Sequence, residues 1–391
     1  MAQQVVKYDI SFLEHIPDDL DSWNQLEKGN AYWSSFYFNN LANNPPKGVN
    51  SHACLIKQND QLVAKMMFQY LEIDLKNNFG KPSSEQKKQS FLMATFRKLI
   101  VPLVKVKIIV NGNLLLSGSY GFKFVEGLDM HQKRQMFAQA IDAYRNFLKS
   151  KGIKTKGVLL KDLDNPEGNL DEYLTKERYS LFKVQPKMKF EIKDKWASFD
   201  AYLAGLKSKY RVRYRKARKS LKNIERRLLS PEEVEKYQEE IYELYLQTVS
   251  KAGFNLFLLN KDYFSGLVKA KPEKFRVNAL FEGERMVAFY TLMDNDTEID
   301  AHYLGYDLSL NAPHKLYLNM LYFMVEEAIE LQKDVLHMSR TALEIKSSVG
   351  TVPEEVNLHG KYFNSILNRI LGQLLDLIVP KVDWEPRNPF K

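Results

Sequence analysis

Apolar residues recur at helical spacing through the middle of the chain. Phe199, Leu203, Leu206, Tyr210, Tyr214, Ala217, Leu221, Ile224 and Leu228 follow one another every three or four positions, close to the 3.6-residue period of an α-helix. The spacing predicts one long amphipathic helix over about 199–229. Its apolar stripe is expected to pack on the protein, with lysines and arginines over the other faces.

On either side of this helix the pattern changes to short apolar runs, and the same order occurs twice. In the first copy, Ala53-Cys54-Leu55-Ile56 and Leu62 to Phe68 flank the polar turn Gln58-Asn59-Asp60, which predicts a β-hairpin. A third strand is expected at Lys105 to Val110 or Leu114 to Ser117. A helix follows through Phe137, Ala140, Ile141, Tyr144 and Leu148, ended by Gly152, and then the strand Gly157-Val158-Leu159-Leu160. The second copy starts with Asn278 to Phe281, the turn Glu282-Gly283-Glu284-Arg285, and Met286 to Leu292. A strand at Glu298 to Leu304, a helix through Leu318, Leu321, Tyr322, Val325, Ala328 and Ile329, and the strand Val335 to Met338 complete it. Repetition at this length reads as duplicated architecture, the alternative being two unrelated units of similar order. Either way the class is α/β (α+β) with mostly antiparallel sheets flanked by helices. The expected units are 1–190 and 191–391, the second beginning with the basic helix.

Composition narrows the class further. A chain of 391 residues with 45% hydrophobic and 12% aromatic residues can fill more than one core. Its single cysteine, Cys54, excludes an intramolecular disulfide framework and fits a buried small hydrophobe. The most apolar stretch, Leu99 to Val110, is broken by Pro102, Lys105 and Lys107, and Met1-Ala2-Gln3-Gln4 does not read as a secretory signal. The expected location is the cytoplasm. The seven histidines show no His-x-x-x-His spacing and no Gly-x-Ser-x-Gly occurs, so neither metal nor serine hydrolase chemistry is expected.

The net charge of +9 is local. Lys207 to Arg227 holds eleven Lys or Arg against one acid, Glu225, a net +10, which leaves the remainder of the chain at −1. The electrostatics therefore ask what one segment does.

Hairpin, strand, helix, strand is the core order of the GNAT acyltransferase fold. Two such units around a basic helical insertion resemble the FemABX aminoacyltransferases and their bacterial FemAB-like relatives. The resemblance covers most of the chain. Three runs carry it: Tyr202-Leu203-Ala204-Gly205-Leu206-Lys207-Ser208-Lys209-Tyr210-Arg211, then Tyr303-Leu304-Gly305-Tyr306-Asp307, then Ser339-Arg340-Thr341-Ala342-Leu343-Glu344-Ile345-Lys346-Ser347-Ser348-Val349-Gly350. It implies tandem GNAT-like domains and transfer of an activated acyl group, from acyl-CoA or aminoacyl-tRNA, to a small-molecule or peptide amine. Acetyl-CoA enzymes of this fold carry a glycine-rich loop before the central helix, where backbone N–H groups bind pyrophosphate. Here Asp307 to His314 has no glycine, and Gly118-Ser119-Tyr120-Gly121 matches poorly. The resemblance thus supports acyl transfer more than acetyl-CoA as donor.

Such chemistry needs a base for the amine, dipoles for the oxyanion, and an acid or cation for the leaving group. The turn after Met338 brings Arg340, Glu344 and Lys346 within seven residues at the end of a strand. Glu344 is the candidate base or amine-orienting carboxylate. Arg340 and Lys346, with Gly305, Asp307 and Ser347, are the candidate donor-binding residues. The plainer reading is a helix cap with an i,i+4 ion pair. Tyr303 and Tyr306 are candidate proton donors or else rim packing. His302 and His314 are expected to be structural, with His302 alternating away from the face of Tyr303.

On the basic helix, Lys207, Lys209, Arg211, Arg213, Arg215 and Arg218 are candidates for contact with RNA, an anionic membrane surface or another polyanion, which adds a peripheral membrane location to the expectation. A solvated face of a linker helix is the plainer alternative. The competing function is a noncatalytic protein that uses a degenerate transferase fold and this ridge to recognise a polyanion or a cell-envelope precursor.

Overall fold

A computed structural model of the chain describes residues 6–17, 20, 23, 26, 29–74, 105–163, 170–192, 195–251, 256–369 and 384–391. The chain start and the stretch before Lys105 considered above lie outside the described residues. Among the described residues fifteen strands form two sheets. Those of the first half are β1 (Asp9–Leu13), β2 (Val49–Gln58), β3 (Gln61–Asp74), β4 (Lys105–Asn111), β5 (Phe122–Phe124), β6 (Gly157–Leu163), β7 (Ser180–Lys183) and β8 (Lys187–Glu191). Those of the second are β9 (Ile224–Leu228), β10 (Phe275–Glu282), β11 (Arg285–Asn295), β12 (Glu298–Tyr306), β13 (Val335–His337), β14 (Val352–Glu354) and β15 (Asn357–Tyr362). The helices are α1 (Ser35–Asn43), α2 (Met130–Ser150), α3 (Leu170–Lys176), α4 (Phe199–Gly205), α5 (Ser208–Leu221), α6 (Pro231–Lys236), α7 (Gln238–Lys251), α8 (Tyr263–Ala270), α9 (Leu308–His314), α10 (Leu316–Glu330) and α11 (Leu343–Ser347).

The expected hairpins form for local reasons. The β2–β3 turn places Asn59 at φ 50° and Asp60 at φ 64°, a conformation these two residue types tolerate. The β10–β11 turn puts Gly283 at φ 60°. A capping box between Asp129 and Gln132 starts α2, and Gly152, at φ 77°, follows its end.

The first sheet runs β1-β2-β3-β4-β6-β15-β7, with β5 also on β3, and the second runs β9-β10-β11-β12-β13-β8-β14. Position by position the orders match, and in each the fourth and fifth strands are parallel while the other described pairings are antiparallel. The repeated order is thus two GNAT-like units. The exchange is reciprocal: after β7 the chain crosses to place β8 between β13 and β14, and after β14 it crosses back to place β15 between β6 and β7. A division at residue 190 therefore cuts β8 and assigns β15 to the wrong sheet.

Alternation along the strands sorts the cores. Cys54, Ile56, Met66 and Phe68 face α2 on the outside of the first sheet. Leu280, Ala288, Ile299 and Leu336 face α4, α5 and α10 outside the second. The opposite faces, Ala53, Leu55 and Met67 from one and Val277, Ala279 and Phe289 from the other, share a third core with α1, α7 and α8. That shared layer fuses the units.

The long basic helix does not form. It is broken at Leu206, whose backbone is extended (ψ 145°), and α5 ends at Lys222, at φ 40°. Gly205 lets the Trp196 ring approach within 2.7 Å of where a Cβ would stand, and Leu206 pairs with Phe390 across a β-bridge. Ile224–Leu228 is instead an edge strand on β10. The helical spacing runs through the break because each piece buries part of the series: Leu206 at the bridge, Tyr210, Ala217 and Leu221 on α5, and Ile224 on β9. No described helix is long and apolar enough to cross a membrane.

Candidate active site between the two units

In the second unit, β12 and β13 pair over Glu298–Asp300 and Val335–His337, where β13 ends, and Ser339 Oγ still reaches Ala301 O at 3.3 Å. The chain leaves β13 through a strained loop: Ser339, Thr341 and Ala342 have φ of 55°, 67° and 49°, a region that costs non-glycine residues on the order of 1–3 kcal/mol each. Several bonds over-determine it. Lys346 Nζ donates to the carbonyls of Met338 at 2.5 Å and Arg340 at 2.6 Å, and Met188 N donates to Ser339 O at 2.9 Å. Lys346 is buried, and burial pushes its ammonium down to about 7.

The first unit repeats this geometry. There β4 and β6 pair through Leu160, and two residues on, Asp162 sits at φ 52°, as Ser339 does two residues beyond His337. The two strand ends meet. Arg340 donates to the Asp162 carboxylate, which also accepts from Lys161 and from the backbone N–H of Gly118 at 3.0 Å. Burial opposes the Asp162 charge, but Lys161 and Arg340 outweigh it and hold the carboxyl below its ordinary range. Lys161 Nζ also donates to Leu116 O at 2.6 Å, and burial pushes it down to about 8. Two cations therefore share one buried carboxylate, which leaves an excess of positive charge.

A second polar group lines the same strands. Ile299, Leu336 and Met338 face the outer core, so Asp300 and His337, which are Cα partners on adjacent strands, face the space between the units. His337 Nε2 lies 2.9 Å from Glu298 Oε2. Burial lowers the imidazole, yet Glu298 and Asp300 together raise it above the ordinary histidine value. Asp300 accepts from Asn295 Nδ2 at 2.5 Å, and burial pushes it up to about 6. Lys187 on β8 acts on both groups, its positive charge lowering the proton affinity of Lys161, Asp300, His337 and Glu298 alike.

The residues singled out from sequence divide. Arg340 and Lys346 stand at the end of the β12–β13 pairing. Glu344 does not: its carboxylate is half-exposed and accepts from Arg387. Ser347 donates to Glu344 O at 2.9 Å and accepts from Arg387 N at 2.9 Å, anchoring the C-terminal tail. Gly305 is required by packing, since a Cβ there would meet the backbone of Leu244 at 2.5 Å and Tyr245 at 2.6 Å. Asp307 caps α9, accepting from Ser309 N and Leu310 N, and pairs with Arg285. Tyr306 is buried, 5.9 Å from the Tyr317 ring.

Tyr303 donates to Leu115 O at 3.2 Å, across to the first unit, and burial raises its phenol well above the ordinary value. His302 does not point away from it. A β-bulge sets His302 and Tyr303 opposite Thr291 alone, whose hydroxyl bonds both the N–H and the carbonyl of Tyr303 at 2.9 and 3.0 Å. Both rings thereby enter one aromatic cluster, 4.8 Å apart, where Tyr32 and Tyr263 hydroxyls hold the two nitrogens of His302 at 3.3 and 2.7 Å. Burial pushes that histidine down to about 3, so it is neutral. His314 Nδ1 lies 2.9 Å from Ser220 O.

The basic residues also divide. Lys207 donates to Asn388 O, Arg211 to Leu206 O, and Arg218 to Glu326 at 2.8 Å while its guanidinium stacks 3.7 Å from the Phe323 ring. Lys209 and Arg215 are exposed and Arg213 is half-buried, none of them with a hydrogen bond or ion pair to a described residue.

Lys161, Asp162, Asp300 and His337 were missed by the sequence reading. A signal existed: Lys161-Asp162 follows the strand Gly157 to Leu160 as Met338-Ser339, with Arg340 next, follows Val335 to His337, and Glu298, Asp300 and His302 alternate with less polar neighbours. Aligning the two copies would have flagged both.

Comparison with known proteins agrees with this architecture. The structure of FemX aligns with a TM-score of 0.53 at 12% identity, over 93% of this chain and 100% of that one. A tandem GNAT protein from the clavulanic acid biosynthesis pathway gives 0.52 at 8% identity, over 91% and 98%. A conserved protein of unknown function from Bacteroides thetaiotaomicron gives 0.50 at 11%, over 90% and 99%. At these identities the likeness is one of fold. Functionally curated proteins return no match. The FemAB-like model, described as peptidoglycan biosynthesis/recognition, matches residues 120–350, more than half of the sequence, and with the doubled sheet order this places the chain in the FemAB-like family of GNAT-fold proteins.

Proposed function

We propose that this chain is an N-acyl- or aminoacyltransferase that works in the groove between its units. The observation that carries the reading is the end of the β12–β13 pairing beside the buried, positively charged meeting of Asp162, Lys161 and Arg340. Beyond that end, main-chain groups can meet an incoming activated carbonyl. Excess positive charge at low dielectric suits the carboxylate or phosphate of a substrate and the developing oxyanion. Lys346 holds the carbonyls of Met338 and Arg340, so it shapes the loop that presents Arg340. The acceptor in this reading is an amine-bearing peptidoglycan precursor, in keeping with the family description.

Aminoacyl-tRNA is the favoured donor. Pyrophosphate binding at the head of the central helix needs free N–H groups. Asp129 already caps α2. At α10 the Tyr317 N–H is taken by Asn311, and the C-terminal carbonyls of α5, from Ala217 and Ser220, are turned towards Asn319 and His314. In this reading Lys209 and Arg215, which are exposed, and the half-buried Arg213 meet the polyanion. The tether of Glu344 to Arg387 speaks for the second reading, noncatalytic recognition of a precursor or polyanion.

The test is incubation of the full chain with an amine-bearing precursor and either labelled aminoacyl-tRNA or acyl-CoA, followed by mass analysis of the acceptor. The expected product is heavier by one aminoacyl or acyl group. Binding of precursor without product from any donor would establish the recognition reading instead.

A further inference from the structure

We infer that His337 is the general base of the transfer reaction, oriented by Glu298. The inference rests on the transferase reading and deepens it. His337 sits on the last paired rung of β12 and β13, on the face opposite the outer core, next to Asp300. Its Nε2 is engaged by Glu298 at 2.9 Å, and its Nδ1 bonds to no described residue. A carboxylate that accepts from one ring nitrogen fixes the proton there and leaves the other nitrogen as a proton acceptor. Glu344, singled out for that role from sequence, is committed to Arg387 outside the groove.

The charged groups facing the imidazole are Glu298 and Asp300 on β12 and Lys187 on β8, with Lys189 as the strand partner of His337. Burial and Lys187 lower the ring's affinity for a proton, but the two carboxylates outweigh them and raise it above the ordinary histidine value, which suits a base that must deprotonate an ammonium. The acceptor ammonium gives one proton to Nδ1. The neutral amine then forms the C–N bond as the bond from the carbonyl carbon to the ester oxygen or thioester sulfur breaks. The second amine proton ends on that oxygen or sulfur, and the imidazolium returns its proton to water.

The experiment is a pH–rate profile of the full chain for transfer from labelled aminoacyl-tRNA and acyl-CoA to an amine-bearing precursor. Wild type is compared with Glu298→Gln and with His337→Gly, the latter with and without added imidazole. His337→Gly is expected to lower kcat by about 10²-fold or more with KM little changed, and imidazole to restore rate. Glu298→Gln is expected to move the acid limb to lower pH, because loss of the carboxylate lowers the imidazole pKa. A purely structural histidine would give neither rescue nor a displaced limb, and either result overturns the assignment. If His337→Gly fails to fold by circular dichroism, His337→Gln replaces it, with full activity as the overturning result. An NMR titration of the His337 ring in wild type and Glu298→Gln supplies the second arm, where an unchanged pKa counts against the pair. Absence of transfer by wild type from both donors removes the transferase reading and the base with it, whereas active wild type with unaffected variants removes the base alone.

Discussion

Arg340, from the loop after β13, donates to Asp162, near the end of the equivalent strand β6, so the two units join where the corresponding strands end. Asp162 is fully buried and also receives Lys161, which makes it the sole carboxylate opposite two cations within its hydrogen-bonded group. Asp162→Asn is expected to cost about 3–5 kcal/mol, the scale for stranding buried charges. Urea denaturation reads this out, and a loss below about 1 kcal/mol would show that the cations find solvent.

Stability should rise with pH through the neutral and mildly alkaline range. Burial lowers Lys346 to about 7 and Lys161 to about 8, below their unfolded values. Between those folded values and about 10.4 the unfolded chain binds more protons, so ∂ΔG/∂pH is positive. Buried tyrosines such as Tyr263 and Tyr303, whose folded values are raised, reverse the slope above about pH 10. Urea midpoints at pH 6, 7.5 and 9 check the sign, and Lys346→Met should flatten the rise.

Gly305 and α7 are in backbone contact, which makes the position intolerant for reasons of packing. Gly305→Ala is expected to destabilise by about 1–3 kcal/mol or more, since a main-chain clash cannot relax by rotating a side chain. A melting temperature within a degree of wild type would contradict this.

Charge reversal separates the two classes of basic residue. Lys209→Glu with Arg215→Glu should leave stability within about 0.5 kcal/mol, because both side chains are exposed. The same pair should weaken tRNA binding and flatten its salt dependence in fluorescence anisotropy. Arg218→Ala should instead destabilise, through loss of Glu326 and of stacking on Phe323. Unchanged tRNA affinity in the double reversal would remove α5 from the donor site.

Tyr303→Phe tests the proton-donor role seen in sequence. The hydroxyl is spent on Leu115 O, so the variant should lose about 1 kcal/mol of stability and retain transfer. A large fall in kcat at unchanged fold would return Tyr303 to the chemistry.

Period-two and period-3.6 patterning, with turn and cap residues such as Asn59-Asp60, Asp129 and Gly152, was enough to determine both hairpins, α2, α10 and their doubled order. Such signals act within a few residues, where backbone sterics and one buried face decide the outcome. The resemblance in Ser339 to Gly350 likewise drew attention to Arg340 and Lys346. Only the tertiary structure decided the rest. The exchange of β8 and β15, the break at Gly205 and Leu206, the bulge that turns His302 beside Tyr303, and the meetings of Arg340 with Asp162 and of Glu344 with Arg387 all join residues far apart in the chain or depend on a neighbour that packs against them. Their energies come from burial, close packing and charge pairing between distant elements, and no local pattern encodes which partner will arrive.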